Sequence, residues 1–203
     1  MPVYSTRNLI LLLIASVLIG IAVVSASIPA VNYYIHSQPP NISAVKTQTF
    51  WYFGEDSNLL FNQTVTRLET YGIPATRLDS SQLTTNQTLR MTSTSDSFIL
   101  FPGDWIAARV NDNQTQTFLA HAVNKGAKVV AIGGQTSTLF DAMKNAHLSA
   151  TSPPEPYNPV TGFRLRTGTL QNGATYLYGS NLYQNTTDPN ALIQGWNDWI
   201  TGI

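Results

Sequence analysis

Residues 96–135 read DSFILFPGDWIAARVNDNQTQTFLAHAVNKGAKVVAIGGQ. Ser97 to Phe101 is a short apolar run ended by Pro102-Gly103, which predicts a buried strand. Asp112 is placed to cap a helix on which Phe118, Leu119, Ala122 and Val123 share one face. Lys125-Gly126 closes that helix, with a cation in the last turn and glycine beyond it. Ala127 to Ile132 is a second apolar run, ended by Gly133-Gly134. Strand, helix and strand in this order predict a right-handed βαβ unit, and hence a parallel sheet with helices packed on it.

Working outward, Thr49 to Phe53 is aromatic and β-prone and ends at Gly54, which predicts a first strand. Ser57 is placed to cap a helix over 58–71, with Phe61, Val65 and Leu68 inward and Gly72 as its stop. Ala75 to Leu78 reads as a second strand. The stretch 79–95 reads as a polar surface excursion with at most one helical turn near Ser81 to Leu83. After Gly134, Thr136 to Ala146 is expected to be helical, with Leu139, Phe140 and Met143 inward. Residues 150–159 carry four prolines and read as a loop or flap. Phe163 to Gly168 and Ala174 to Gly179 flank an Asn172-Gly173 turn signal and predict a β-hairpin. Thr187 or Asp188 caps a last helix with Pro189 in its first turn and Leu192, Ile193, Trp196, Trp199 and Ile200 on its apolar face. On that face core packing competes with a contact surface for another subunit. The expected architecture is an α/β, flavodoxin-like, three-layer parallel sheet with helices on both faces, followed by a hairpin and a helix. The first strand is expected between the second and the third, with the fourth outside the third.

The N-terminal part is different. Leu9 to Val31 carries no charge across 23 residues. As a helix it would reach about 34 Å, enough to span a bilayer core. Arg7 precedes it and no cation follows until Lys46, which puts the N-terminus in the cytoplasm and the remainder outside. Val24-Ser25-Ala26 admits the rival reading of a cleavable signal peptide, and the retained anchor is the reading adopted. Tyr33 and Tyr34 would sit at the outer interface, ahead of a linker stiffened by Pro39-Pro40. The expected organisation is an anchor over 1–31, a linker over 32–46 and an extracytoplasmic domain over 47–203, lodged in a cell membrane by residues 9–31.

Composition narrows the function. The chain of 203 residues has a formal net charge of zero and only 11% charged residues, with no basic stripe, so no nucleic-acid partner is expected. It has no cysteine, which removes disulfides, thiolate metal sites and cysteine nucleophiles. Its three histidines are widely spaced. Ligands in a parallel sheet bind beyond the C-terminal strand ends, where the strand order reverses. That rule nominates a crevice of Gly54, Glu55 and Asp56, Gly103, Asp104 and Trp105, and Gly133, Gly134 and Gln135. The carboxylates of Glu55, Asp56 and Asp104 suit a divalent cation, but acids leading into a helix N-terminus are the plainer reading, and no metal or cofactor is assigned. The Gly133-Gly134 turn ahead of a helix could hold an anion, or could simply be a tight turn. Ser137 or Thr136 as a nucleophile would need a base, and His121 is the candidate. Sequons at Asn41, Asn62, Asn86, Asn113 and Asn185 all follow the apolar segment, on the side where glycosylation occurs.

The motifs FPGD at Phe101 to Asp104 and VVAIGGQ at Val129 to Gln135 resemble the two strand-end turns of the class I glutamine-amidotransferase-like superfamily, which also holds the DJ-1 and PfpI proteins. The resemblance covers roughly Thr49 to Ala146. In that family the first turn helps to form an oxyanion hole and the second carries a nucleophilic cysteine. The matching position here is Gly133. The family's downstream His-x-Glu pair is missing, since His147 has no glutamate two residues on. The resemblance thus implies a degenerate, membrane-tethered relative without catalytic residues, of a kind found in archaea and bacteria. The function expected is that of an accessory or scaffold subunit, partnered by other membrane or cell-surface proteins. The alternatives are a small-ligand or metal-binding receptor and a hydrolase with an unrecognised site.

Overall fold

A computed structural model describes residues 40–54, 58–148 and 158–202. The expected membrane segment with Tyr33 and Tyr34, the acids Glu55 and Asp56, the cap Ser57 and most of the proline-rich loop lie outside the described residues. Among the described residues, no helix is long and apolar enough to cross a membrane.

The described chain is a mixed α/β domain built on one six-stranded sheet. The strands are β1 (Thr49–Tyr52), β2 (Ala75–Arg77), β3 (Ser97–Pro102), β4 (Lys128–Ile132), β5 (Val160–Thr169) and β6 (Thr175–Gln184). Their spatial order is β2-β1-β3-β4-β5-β6. The first four are parallel, in the order the sequence predicts; β5 and β6 run antiparallel. The hairpin is therefore part of the sheet, with Val160 to Phe163 paired to Ile132 to Val129. Each of its strands has ten residues, longer than the turn signal alone implied. At its tip the Gly173 N–H donates to the Leu170 carbonyl at 2.9 Å and Gly173 takes φ +82°, as a three-residue loop with glycine in the left-handed position requires.

Alternation along the strands divides the core in two. On one face Phe53, Ile99, Phe101, Val129, Ala131 and Phe163 meet the helices α3 (Gly103–Ala107), α4 (Asn113–Asn124) and α5 (Thr138–Asn145). On the other, Phe50, Phe98, Leu100, Val130, Ile132 and Val160 meet α1 (Leu59–Thr70) and α6 (Pro189–Thr201). Trp196 is fully buried there, its ring 5.1 Å from that of Phe98, and Trp199 is 8% exposed with its indole N–H on Ser180 Oγ at 3.1 Å. Core packing accounts for both tryptophans, and neither offers a surface to another subunit. Packing also begins before residue 47, since Ile42 and Val45 are buried and the Ala44 N–H donates to Asn197 Oδ1 at 2.9 Å.

Helix ends follow capping chemistry, with two corrections. The α1 cap is Asn58, whose side chain accepts the Phe61 N–H at 3.0 Å, so the position read as the first helical residue is the cap. Within the expected surface excursion stands a helix, α2 (Asn86–Thr92), so Asn86 lies in a first turn and not in a loop. Its sequence shows no apolar stripe because its buried positions are threonines: Thr88 and Thr92 turn inward, and the Thr92 hydroxyl donates back to the Thr88 carbonyl at 2.8 Å.

Asp112 caps α4 as expected, accepting the Thr115 N–H at 2.9 Å and its hydroxyl at 2.8 Å. The Thr115 hydroxyl, more than any other group, holds the carboxyl below its ordinary 3.8. Because the folded state depresses this pKa, the carboxylate's contribution is complete above the ordinary value and is lost as pH falls through the folded one. Asp112→Ala is expected to cost about 1 kcal/mol at neutral pH. The gap between wild type and variant should close as pH drops below the carboxylate range. Urea midpoints at pH 7 and at low pH check this, and a gap that stays constant would show that charge plays no part in the cap.

Candidate functional site

The C-terminal ends of β1, β3 and β4 bring together the turns nominated from the sequence. Gly54, Gly103, Asp104, Trp105, Gly133, Gly134 and Gln135 are all at this end. Among the described residues these turns pack against one another. Gly54 takes φ +113°, and a Cβ there would stand 2.6 Å from Pro102 Cγ. Pro102 therefore lies directly over the end of β1, where the strand order reverses and a ligand would be expected. Trp105 packs over the same place from the helix side. It is 9% exposed, stacked 5.6 Å from the Phe53 ring and 5.3 Å from that of Phe101, with the Arg109 guanidinium 4.4 Å over its own ring. Its indole N–H donates to Ser80 Oγ at 3.3 Å.

The two glycine turns touch through their backbones. A Cβ on Gly103 would fall on the Gly134 carbonyl oxygen and 3.1 Å from the Thr136 nitrogen. Gly133 takes φ +100°, and the side-chain amide of Asn58 occupies the space that a Cβ there would need. Asn58 thus does two jobs, capping α1 and covering Gly133. From the β5 side the turn is held by the Gly133 N–H on the Pro159 carbonyl at 2.7 Å. The Thr136 hydroxyl on the Asn158 carbonyl at 2.5 Å and the Thr161 hydroxyl on the Thr136 carbonyl at 2.7 Å complete the hold. Asp104 is exposed in the first turn of α3, and Gln135, at φ +53°, donates its amide to Asp104 Oδ1 at 3.2 Å.

Among the described residues, no hydroxyl at this end has an imidazole beside it to act as a base. The Thr136 hydroxyl is committed to a carbonyl. Both described histidines lie at the other end of the sheet, His121 in the last turn of α4 and His147 just after α5. His121 Nδ1 there pairs with Ser93 Oγ at 2.7 Å, so it is no base for Ser137. Among the described residues, no three carboxylates or imidazoles stand close enough to hold a metal ion. Asp104 is the only member of the nominated acidic trio that the structure describes.

The open space at this end lies to one side, beyond β2. A hollow of about 400 Å³ is lined by Gly54, Arg77, Leu78, Asp79 and Ser80. Of these only Gly54 was nominated from the sequence. The Ser81 N–H, donated to Asp79 Oδ1 at 2.8 Å, is the main reason that the Asp79 carboxyl is held below its ordinary range. The readable signal was the Asp79-Ser80-Ser81 run, in which aspartate bonds the backbone two residues on. Nothing local in the sequence placed Asn58 on Gly133.

Of the sequons, Asn41, Asn86, Asn113 and Asn185 are exposed and Asn62, on α1, is half-buried. The described residues form a mixed α/β domain whose strand-end glycine turns pack against one another. Compared with protein-family models, with curated proteins and with solved structures, the chain matches none.

Proposed function

We propose that this chain is a non-catalytic domain held outside the cell by a single membrane anchor, serving as an accessory or scaffold subunit of a membrane or cell-surface complex. The observation that carries the reading is the filled position at Gly133, where the Asn58 amide stands in place of a reactive side chain. The anchor is Leu9 to Val31, with the N-terminus cytoplasmic. The strand order β2-β1-β3-β4 supports kinship, as a degenerate flavodoxin-like relative, with the class I glutamine-amidotransferase-like superfamily. The exposed sequons support a glycosylated surface. Extraction from native membranes in mild detergent, followed by mass spectrometry of the intact assembly, tests it. Other subunits in fixed ratio, with glycans on the sequon asparagines, are expected. Robust amidase or hydrolase turnover that depends on strand-end residues would end the proposal.

A second reading is favoured by the hollow beside Gly54, where Arg77 and Asp79 present both signs of charge to a small polar ligand. It requires that a ligand raise the melting temperature and that Arg77→Ala abolish the rise. It gains weight if extraction yields a lone monomer.

A further inference from the structure

The hairpin outgrows the sheet that supports it. Pairing of β5 to β4 ends at Phe163 with Val129, whereas β5 and β6 stay paired down to Thr169 with Thr175. Arg164 and Arg166 still donate to the Trp199 carbonyl of α6, so the part that projects is Thr167 to Thr169 with its partners Thr175 to Leu177, a two-stranded arm about 10 Å long at about 3.3 Å per residue, capped by the turn. Such a ribbon is marginally stable in water by itself. This one nonetheless exposes Leu170, Tyr176, Leu177 and Tyr178, with Leu177 at 64%. The chain carries no charge and no proline from Gly173 to Thr187, although exposed edge strands are ordinarily protected by one or the other.

The arm points away from the glycine turns, because β5 runs antiparallel to β4. At that same end the chain enters the domain at Pro40 and leads into β1. It is also the basic end. The last-turn cations Arg67, Arg90 and Lys144, the α4 cap residue Lys125 and the β5 residue Arg166 all lie there. With Lys46 these are six cations that reach the surface, against the four carboxylates of Glu69, Asp96, Asp141 and Asp198; Arg164 and Lys128, at the same end, are buried, on the Trp199 and Ser95 carbonyls. The capping acids Asp79, Asp112 and Asp188 are at the opposite end. A hollow of about 390 Å³ beside the arm is lined by Lys125, Lys128, Thr167 and Leu177, offering cations and an apolar wall together. Helix dipoles explain why cations sit at helix C-termini. They do not explain uncharged aromatic and aliphatic side chains on a projecting ribbon beside them.

We propose that the arm and the basic end lie against an anionic lipid surface, with Tyr176, Leu177 and Tyr178 in its headgroup layer. Tyrosine beside arginine suits that layer, where a ring finds apolar matter and its hydroxyl finds water. The inference rests on the reading of Leu9 to Val31 as an anchor.

The absence of cysteine gives a clean background for the test. The full chain, carrying Leu177→Cys or the opposite-end control Gln114→Cys, is labelled with a polarity-sensitive fluorophore. It is then reconstituted into phosphatidylcholine–phosphatidylglycerol vesicles containing brominated lipid. At position 177 blue-shifted emission and at least twofold quenching are expected, with neither at position 114. Alkaline carbonate extraction of the same vesicles reports on the anchor independently. A chain that resists carbonate but leaves position 177 unquenched overturns the arm proposal and spares the anchor. A chain that carbonate removes, with position 177 quenched beforehand, upholds the arm and discards the anchor. Blue-shifted emission without lipid quenching, accompanied by label self-quenching that unlabelled chain relieves, means that a second copy covers the arm, and overturns the proposal.

Discussion

Gly103→Ala is expected to cost about 4 kcal/mol of the domain's stability. The new Cβ would fall on the Gly134 carbonyl oxygen, with the Thr136 nitrogen 3.1 Å away, so the clash is with backbone and not with a side chain that can rotate aside. The opposing turn has no room to retreat, since Pro159 holds the Gly133 N–H and Asn158 holds the Thr136 hydroxyl. Overpacking against movable neighbours costs about 1–3 kcal/mol. Between two fixed backbones about 4 kcal/mol is expected, a large part of the about 5–15 kcal/mol that a domain possesses. The control is Gly72→Ala, at φ +72° with no atom within 4 Å of its Cβ, for which about 1 kcal/mol of backbone strain is expected. Urea midpoints of the two variants in the same detergent decide the matter. Equal midpoints would mean that the turns do not bear on one another.

Gly133→Cys, which supplies the side chain that the resembling family carries, should yield no enzyme and a weaker fold. Two costs combine. At φ +100° a side chain is strained by about 1–3 kcal/mol. It must also displace the Asn58 amide, breaking the bond to the Phe61 N–H that caps α1, worth about 1 kcal/mol. Turnover of esters or amides should stay at background, because neither described histidine stands at this end to take a proton. The coupling can be measured. Asn58→Gly alone should cost a few tenths of a kcal/mol, since glycine is a tolerable cap. Combined with Gly133→Cys it should recover about 1 kcal/mol relative to the sum of the single changes. Strict additivity would remove Asn58 from the account of why the position is glycine.

The sheet order was readable because β3 and β4 are buried on both faces and appear as continuous apolar runs, and because Asp112 and Asp188 announce their helices by capping chemistry. α2 was not, since its inward positions Thr88 and Thr92 bury methyl groups while their hydroxyls read as surface. The length of the hairpin was hidden for a related reason: TYLYGSNLYQ mixes rings and small polar groups on both sides, so no alternation marks where β6 begins or ends. At the site, the glycines were found from their spacing after apolar runs. That the turns pack against one another depends on pairs such as Gly103 with Gly134 and Asn58 with Gly133. Their members are far apart in sequence, and no local preference links them.

One feature of the helices has a wider effect. The buried threonines of α1, α2 and α4 bond back into their own helices or caps, as Thr64 does to the Leu60 carbonyl at 2.7 Å. Among the described residues the one ion pair, Lys144 with Asp141 at 3.9 Å, is exposed. Added salt weakens exposed charge pairs and leaves short hydroxyl–carbonyl bonds largely untouched. Ionic strength therefore acts on this molecule unevenly: a saline medium would loosen the hold of its basic end on a charged bilayer while leaving the folded domain nearly unchanged.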